Sequence, residues 1–195
     1  SWECMKLSYE GLKDKEAWRK AGAALPEYDW KAMCEATKKA PVWVHFGAGN
    51  IFRGFIAGLQ QRLLNQGLAK SGIVAAETFD YDIIDKIYWP HDSMTLMVSL
   101  RPDGSTEKEV IASIAQGVKA DSSDKEQWET LKKIFENPAL QMASFTITEK
   151  GYAIRDIQGN LMKVVSEDME QGPGKARHAM SVVAALMFAR FQAGA

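Results

Sequence analysis

Two glycines separated by one residue, Gly47 and Gly49, mark the point where a short apolar run gives way to an amphipathic pattern. Binding of a phosphate at a strand-to-helix turn requires a tight turn, which suits Gly47, and close approach of the backbone to the ligand, which suits Gly49. The amides of Asn50, Ile51 and Phe52 would then face the anion at the positive end of the next helix. This chemistry predicts a site for the diphosphate of a dinucleotide.

The glycine pattern departs from the usual dinucleotide fingerprint at its third position. The spacing G-x-G-x-x-G would place a glycine at position 52, but Phe52 occupies it and the next glycine is Gly54. Two glycines also occur where a helix packs closely on a strand for structural reasons alone. A tight turn that binds no ligand is therefore the alternative interpretation.

A carboxylate at the end of the second strand would accept hydrogen bonds from the adenosine ribose, and two residues are candidates. Glu77 ends an apolar run and fits better by strand geometry, whereas Asp80 is equally suited to cap the short helix that follows. Since a carboxylate repels a 2′-phosphate, this position favours NAD over NADP as the cofactor. Arg53 weakens the preference, because its guanidinium could bind either kind of phosphate.

The elements that would position these residues are a strand, a glycine turn, a helix and a second strand. Val42–Phe46 is the first predicted strand, the helix after the glycines has its C-terminal cap at Gly67, and the second strand is Ile73–Ala76. A helix from Trp30 to about Lys39, capped by Asp29, is predicted to precede this βαβ unit.

The rest of the chain continues the alternation of strands and helices. The predicted elements are a short helix around Tyr81 to Tyr88, a hairpin of Met94–Leu100 and Lys108–Ile114, a helix with a capping box of Ser123 and Glu126 that stops at Asn137, a strand Met142–Thr148, and a last helix from near Pro173 to Gly194. This order predicts an α/β, Rossmann-type fold with a mostly parallel sheet, flanking helices and a hairpin insertion. We expect residues 1–40 to be a helical extension and residues 41–195 to form the dinucleotide-binding domain.

Composition and charge argue against several other classes of function. The formal net charge of −1 gives no electrostatic reason to expect nucleic acid or an anionic membrane as a partner. The longest apolar stretch, Met180–Ala189, is too short to span a bilayer, and the N-terminus lacks a signal-peptide pattern, so we expect a cytoplasmic location. Cys4 and Cys34 have neither metal-site nor disulfide spacing and are predicted to be reduced thiols. The dispersed histidines form no metal motif, and His45 is predicted to lie in the core.

A second motif, SFTITEKGY at residues 144–152, places Thr148 and Glu149 at the end of a predicted strand, just before a glycine. Ligands of open α/β sheets bind beyond such strand ends, and a solvated surface turn is the alternative. The glycine loop followed by this motif, in this order, resembles the mannitol dehydrogenase family of polyol-specific long-chain dehydrogenases from about Val42 onward. Residues 75–104 look most like the sugar-acid branch of that family.

The resemblance implies a Rossmann-type domain that binds NAD, or less favourably NADP, and a helical C-terminal domain that completes the active site without a metal. It implies reversible hydride transfer between the cofactor and a small sugar alcohol or ketose acid, for the sugar-acid branch fructuronate and mannonate. It places Glu149 near the substrate, where it would manage proton and water access. The residues predicted to bind the cofactor, from both motifs and the resemblance, are Gly47, Ala48, Gly49, Asn50, Ile51, Phe52, Arg53, Glu77, Asp80 and Thr148.

Hydride transfer from an alcohol also needs a group that takes the hydroxyl proton. The family uses a lysine of the C-terminal domain with asparagine and histidine neighbours, and no matching lysine motif occurs in this sequence. We therefore expect a truncated N-terminal portion that is inactive alone and could self-associate through surface meant for the missing domain. The alternatives are a fragment of mannitol 2-dehydrogenase or mannitol-1-phosphate 5-dehydrogenase, and a non-catalytic NAD-binding module.

Overall fold

The computed structural model of the protein describes residues 5–195, so Cys4 lies outside the described part of the chain. The strands are β1 Ala23–Ala24, β2 Trp43–Phe46, β3 Ile73–Glu77, β4 Thr95–Leu100, β5 Thr106–Ile111, β6 Ile114–Lys119 and β7 Met142–Phe145. The helices are α1 Lys15–Lys20, α2 Trp30–Lys39, α3 Ala57–Asn65, α4 Lys125–Glu136, α5 Glu149–Tyr152, α6 Lys163–Gln171 and α7 Ala179–Ala193. Short 3-10 helices lie at Gly11–Lys13, Trp89–His91 and Pro173–Lys175, and π-helical turns at Phe52–Ile56 and Ile84–Tyr88.

Four parallel strands form the central sheet in the order β6-β3-β2-β7. The chain passes from β2 to β3 and β6 on one side and then returns to place β7 on the other side of β2. The strand order therefore reverses next to β2, as in a Rossmann-type fold, and helices cover both faces of the sheet. The predicted α/β class with a mostly parallel sheet is confirmed.

The two faces of the central sheet bury different clusters of apolar side chains. On one face Phe46 packs with the α4 and α7 layer, where Leu131 and Leu186 are completely buried. On the other face Ile73 belongs to a cluster with Phe52, from the helix after the glycine loop. Strand residues alternate between faces, so a sheet covered on both sides requires strands that are apolar throughout.

The hairpin insertion forms a separate sheet of three strands. β4 and β5 pair antiparallel, and β1 adds to β5 in parallel. The predicted hairpin is confirmed, whereas β1 was outside any prediction because two alanines carry no strand signal. Leu12 and Trp18 of the N-terminal segment pack with Val110 of β5, so this segment is held on the hairpin.

The prediction of one strand over Lys108–Ile114 is wrong. β5 ends at Ile111, and a new strand, β6, begins at Ile114 and joins the central sheet beside β3. The segment IAQGVK has too little apolar character to be read as a buried strand. Its glycine is required by packing, because a Cβ at Gly117 would lie 2.7 Å from the Tyr88 ring.

Two helix starts in the second half of the chain also differ from the prediction. Asp124, rather than Ser123, caps α4 by accepting a hydrogen bond from the Gln127 N–H at 3.2 Å. Both residue types cap helices well, so spacing alone did not distinguish them. The last helix begins at Ala179 instead of near Pro173, which starts only a 3-10 turn, and α6 is an unpredicted helix before it.

The last helix, α7, is apolar along most of its length and ends at Gly194, as predicted. Gly194 has a φ of 72°, the left-handed conformation of a C-terminal cap. Within residues 5–195, no helix combines the length and the apolar character needed to cross a membrane.

Candidate dinucleotide site

A cleft opens at the carboxyl ends of β2 and β7, where the strand order of the central sheet reverses. Ligands of open α/β sheets bind at such points, because the neighbouring crossovers leave the sheet on opposite faces. The cleft has a volume of about 880 Å³, and its walls are the glycine loop, the segments after β3 and β7, and the start of α7. The predicted residues that line it are Gly47, Gly49, Asn50, Ile51, Phe52, Glu77, Asp80 and Thr148.

Gly47 is required by the fold itself. Its φ of 117° lies in the region that L side chains rarely adopt, and its N–H donates to the Ala76 carbonyl at 2.8 Å, continuing the β2–β3 pairing. A Cβ at this position would lie 2.5 Å from Thr146 Oγ1 and 2.8 Å from the Thr146 carbonyl oxygen. The chain therefore needs this glycine to turn away from β2 beside β7, with or without a ligand.

Gly49 has no such explanation in the packing of the protein. Within the described residues, a Cβ here would have no atom within 4 Å. Its carbonyl accepts the first helical hydrogen bond, from the Arg53 N–H at 3.1 Å, so Gly49 is the N-cap of the helix over residues 50–65. The missing side chain leaves open space beside the helix start, which fits a ligand that approaches the backbone closely.

The first turn of this helix offers the hydrogen-bond donors that a diphosphate needs. Because Gly49 accepts from Arg53, the amides of residues 50–52 have no acceptor inside the helix. All three residues line the cleft, and the positive end of the helix dipole lies there as well. The arrangement predicted from the glycines is therefore present around the cleft.

Phe52, which replaces the third glycine of the fingerprint, fills the space between helix and sheet. Its side chain is completely buried and stacks on His45, with ring centroids 4.3 Å apart. The helix widens here into the π-helical turn Phe52–Ile56, where the Ala57 N–H donates to the Phe52 carbonyl. The wider turn accommodates the Phe52 ring between helix and sheet. A glycine at this position would instead let the helix pack directly on the strand. The departure from the fingerprint thus alters the helix packing and leaves the amide donors facing the cleft.

His45 is a buried, neutral residue beneath the glycine loop, as its position in a strand predicted. Its Nδ1 lies 2.6 Å from Ser144 Oγ and its Nε2 lies 2.8 Å from Thr146 Oγ1. Ser144 Oγ also accepts a hydrogen bond from Trp43 Nε1 at 2.7 Å. Burial lowers the pKa of His45 from 6.5 to about 4. These bonds tie β2 to β7 directly below the cleft.

The low pKa of His45 should make the stability of the fold depend on pH. The unfolded chain, with a histidine pKa of 6.5, binds a proton that the folded state takes up only near pH 4. The titration of His45 therefore leaves the free energy of unfolding unchanged above pH 6.5. As the pH falls from there toward 4, the free energy of unfolding decreases progressively. We expect the Tm of the parent protein to fall more steeply over this range than that of His45→Gln. Parallel declines of the two Tm curves would contradict this account.

Ala48 lies between the two glycines, and both its N–H and its carbonyl are hydrogen-bonded within the protein. Its N–H donates to Glu77 Oε1 at 2.9 Å, and its carbonyl accepts from the Tyr88 hydroxyl at 3.0 Å. The second carboxylate oxygen of Glu77 accepts from the amides of Phe79 at 3.0 Å and Asp80 at 3.3 Å. Glu77 therefore links the glycine loop to the segment after β3.

Asp80 and Phe79 present their side chains to solvent at the cleft wall. Phe79 is 90% exposed, and no donor among residues 5–195 bonds the exposed carboxylate of Asp80. The alternative in which Asp80 caps the following helix is not observed, since the Ile83 N–H reaches its backbone carbonyl at 3.3 Å instead of its side chain. Phe79 has no counterpart in the predicted site, although an exposed aromatic after a strand end was a signal to consider.

Two of the predicted cofactor residues, Ala48 and Arg53, do not line the cleft. Ala48 is completely buried. The Arg53 guanidinium is half-buried and donates to Asn50 Oδ1 on the same helix turn. Both residues support the conformation of the loop.

The segment after β7 differs from the predicted strand. β7 ends at Phe145, and Thr148 caps the one-turn helix α5 by accepting a hydrogen bond from the Gly151 N–H at 3.2 Å. The predicted extension of the strand to Thr148 is wrong, because a threonine hydroxyl can bond the backbone locally and start a helix. Thr148 and Lys150 line the cleft, whereas Glu149 is exposed beside them and outside its lining. The proposed role of Glu149 stays a prediction.

The start of α7 forms a further wall that sequence reasoning missed. His178 caps α7 by accepting from the Met180 N–H at 3.1 Å, and its Nε2 lies 2.9 Å from the Ala153 carbonyl oxygen. The buried carboxylate of Asp168 accepts from the amides of Arg177 at 3.1 Å and His178 at 2.9 Å. These contacts occupy the amides of Arg177, His178 and Met180 within the protein, and Arg177, His178 and Ala179 line this wall of the cleft. Asp168 and His178 form no short motif that would have revealed it.

Comparison with known proteins relates the whole of this architecture to dehydrogenases. No protein-family model matches the chain. A D-mannonate oxidoreductase of Thermotoga maritima is 49% identical over 190 residues, which are 97% of this chain and 35% of that protein. The chain therefore spans well under two thirds of the relative's length.

Two solved structures share the fold. A D-sorbitol dehydrogenase in substrate-free form superposes with a TM-score of 0.72 at 25% identity, over 89% of this chain and 35% of the other. A Pseudomonas fluorescens mannitol 2-dehydrogenase, solved as a ternary complex with NAD and D-mannitol, superposes with a TM-score of 0.77 at 22% identity, over 97% of this chain and 37% of the other. In sequence the chain thus matches about a third of a D-mannonate oxidoreductase, and in fold it matches a similar share of two polyol dehydrogenases, in line with the resemblance of its two motifs to the mannitol dehydrogenase family.

Proposed function

We propose that the chain is the cofactor-binding portion of an NAD-dependent oxidoreductase that interconverts fructuronate and mannonate by hydride transfer. The observation that carries this proposal is the 49% identity to a D-mannonate oxidoreductase, which extends over 97% of the chain and so includes the cleft. The mannitol 2-dehydrogenase of the same fold was solved with NAD, which supports a nicotinamide cofactor. Since the chain spans 35% of the oxidoreductase, we assign the complete activity to a longer protein.

The residues of the cleft suit the parts of a dinucleotide. The open space at Gly49, beside the amides of residues 50–52, suits the diphosphate. The exposed ring of Phe79 offers a surface on which an adenine could stack, and Ile83 adds apolar surface to the same wall. The free carboxylate of Asp80 suits the hydroxyls of the adenosine ribose.

Hydride transfer divides between the cofactor and the protein. A bound nicotinamide supplies or accepts the hydride. In this proposal the glycine loop and the segment after β3 hold the adenosine diphosphate half. Thr148 and Lys150, on the β7 side of the cleft, then border the nicotinamide half. Glu149 is proposed to manage proton and water access beside them, and the group that takes the hydroxyl proton belongs to the remainder of the longer protein.

The proposed site should distinguish between the two nicotinamide cofactors. The carboxylate of Asp80 would gain hydrogen bonds from a free 2′-hydroxyl and repel a 2′-phosphate. We expect NADH to bind this chain about tenfold more tightly than NADPH, measured by isothermal titration calorimetry at one ionic strength. Equal affinities, or tighter binding of NADPH, would show that the cofactor preference is wrong.

The proposed substrate requires a separate experiment on the longer protein. The assay uses a longer protein in which this chain is followed by the rest of an oxidoreductase of the length of the Thermotoga maritima relative. It would be assayed with NADH and fructuronate, fructose or fructose 6-phosphate. We expect the highest kcat/KM for fructuronate. A higher kcat/KM for fructose or fructose 6-phosphate would contradict the proposed substrate. It would not contradict the proposed cofactor site.

A further inference from the structure

We infer that Glu77 is a positioning residue that holds the glycine loop in its binding conformation, while Asp80 is the carboxylate that recognises the ribose. This inference rests on the proposed nucleotide site and reverses the weight that strand geometry gives to the two acids. Position in the sequence favours Glu77 as the ribose ligand, since it ends β3. The hydrogen bonds in the structure assign its carboxylate to the protein backbone.

The carboxylate of Glu77 is surrounded by backbone donors. Oε1 accepts from the Ala48 N–H at 2.9 Å, and Oε2 accepts from the amides of Phe79 at 3.0 Å and Asp80 at 3.3 Å. Hydrogen bonds from amides to a charged acceptor are stronger than those between neutral groups. Turning this carboxylate toward a ribose would leave the N–H of the buried Ala48 without its acceptor.

The Ala48 carbonyl is hydrogen-bonded as well. The Tyr88 hydroxyl donates to the Ala48 carbonyl at 3.0 Å, and the Tyr88 side chain is only 1% exposed. The Tyr88 ring is itself fixed against β6, where Gly117 leaves room for it. Glu77 and Tyr88 therefore clamp the one residue that separates Gly47 from Gly49. A loop held in this way needs no rearrangement to receive a diphosphate, and such preorganisation strengthens binding.

Asp80 has the opposite character. Its side chain is exposed at the cleft wall and, within residues 5–195, accepts no hydrogen bond. Its backbone is positioned by Glu77 through the amide contact at 3.3 Å. Glu77 thus places the acid that is free to bind a ligand and does not itself need to bind one.

Removing the ribose hydroxyls from the ligand separates the two roles. ADP and 2′,3′-dideoxy-ADP would be titrated calorimetrically into the parent chain, Glu77→Gln, Tyr88→Phe, Asp80→Asn and the control Asp82→Asn. Asp82 is exposed and pairs with Lys86 at 3.1 Å, outside the residues that line the cleft. A glutamine at position 77 keeps one acceptor oxygen but places an amide group opposite backbone donors.

The variants should respond differently to the two ligands. We expect Glu77→Gln and Tyr88→Phe to weaken both ligands by the same factor, about tenfold for Glu77→Gln, so that the parent's preference for ADP is kept. Asp80→Asn should bind dideoxy-ADP normally and lose the preference for ADP. Asp82→Asn should behave as the parent. Loss of the ADP preference in Glu77→Gln with its retention in Asp80→Asn would overturn the inference, as would unchanged or tighter binding of both ligands by Glu77→Gln.

A measurement without ligand tests the clamp independently of the proposed function. In the free chain, the Ala48 amide should exchange with solvent at least tenfold faster in Glu77→Gln than in the parent. The exchange rates would be measured by NMR at the same number of degrees below the Tm of each protein. Unchanged exchange and an unchanged Ala48 proton shift would refute the clamp. Failure of the parent chain to bind ADP would instead count against the proposed function, and the exchange result would still decide the role of Glu77.

Discussion

Gly49→Thr is expected to lower the affinity for ADP and NADH about a hundredfold, since it removes roughly two hydrogen bonds between backbone and charged oxygens. Within residues 5–195 a Cβ at this position would have no atom of another part of the chain within 4 Å, so the added side chain starts in the open space assigned to the diphosphate. Threonine is as good an N-cap as glycine, so the free energy of unfolding should change by less than about 1 kcal/mol. Calorimetric titration and urea unfolding of the same samples measure the two quantities.

The control for Gly49→Thr lies on the same helix. Gly54 is one turn further on, and a Cβ there would make only an ordinary contact of 3.8 Å with Met97 Sδ. Gly54→Ala should therefore bind both nucleotides as the parent does. Normal nucleotide affinity in Gly49→Thr would mean that the ligand does not approach this backbone.

Gly49→Thr should weaken binding and leave stability nearly unchanged, whereas Gly47→Ala should affect stability. We expect Gly47→Ala to destabilise the fold by about 2–5 kcal/mol, from backbone strain and overpacking together. The alanine must adopt a φ of 117°, and its Cβ would lie 2.5 Å from Thr146 Oγ1 and 2.8 Å from the Thr146 carbonyl oxygen. The carbonyl cannot move without disturbing β7, so the clash cannot be relieved by a side-chain rotation. The free energy of unfolding in urea is the measurement.

Gly67→Ala separates strain from collision. Gly67 also has a positive φ, 71°, but among the described residues no atom lies within 4 Å of the position of its Cβ. We expect it to cost about 1 kcal/mol, from backbone strain alone. If Gly47→Ala is no less stable than Gly67→Ala, the contact between the glycine loop and β7 has no energetic importance.

The part of the fold that could be predicted is the part determined by local signals. The helix capped by Asp29, the strand that ends at Phe46 and the helix end near Gly67 all follow from residues adjacent in sequence. The same applies to the glycine turn, because a residue at the end of a buried strand has few ways to enter a helix. Of these elements, the glycine turn and the start of the helix after it line the cleft.

The remaining walls depend on contacts between distant residues. β6 becomes a strand because it completes the sheet beside β3, although its own sequence has little strand character. The start of α7 is set by Asp168, a residue ten positions before His178 that accepts its amide. Such a contact has no signature in a single sequence, so the predicted helix began too early.

The role of Glu77 illustrates a limit of a different kind. A carboxylate at the end of the second strand can accept hydrogen bonds from a ribose or from the protein backbone, and its position in the sequence is the same in both cases. Only the position of Ala48, whose N–H lies 2.9 Å from Glu77 Oε1, distinguishes them. Phe52 is similar, because its departure from the fingerprint was evident whereas the π-helical turn that accommodates it was not.

The most direct test of the account follows the backbone amides of the chain by NMR during titration with ADP. If the start of the helix over residues 50–65 binds the diphosphate, the amide protons of Gly49, Asn50, Ile51 and Phe52 should shift most, and adenosine alone should leave them nearly unchanged. The amides of Arg177 and His178, already bonded to Asp168, should respond little. If ADP binds and shifts the amide resonances of other parts of the chain while those of residues 49–52 stay unchanged, the central claim is wrong.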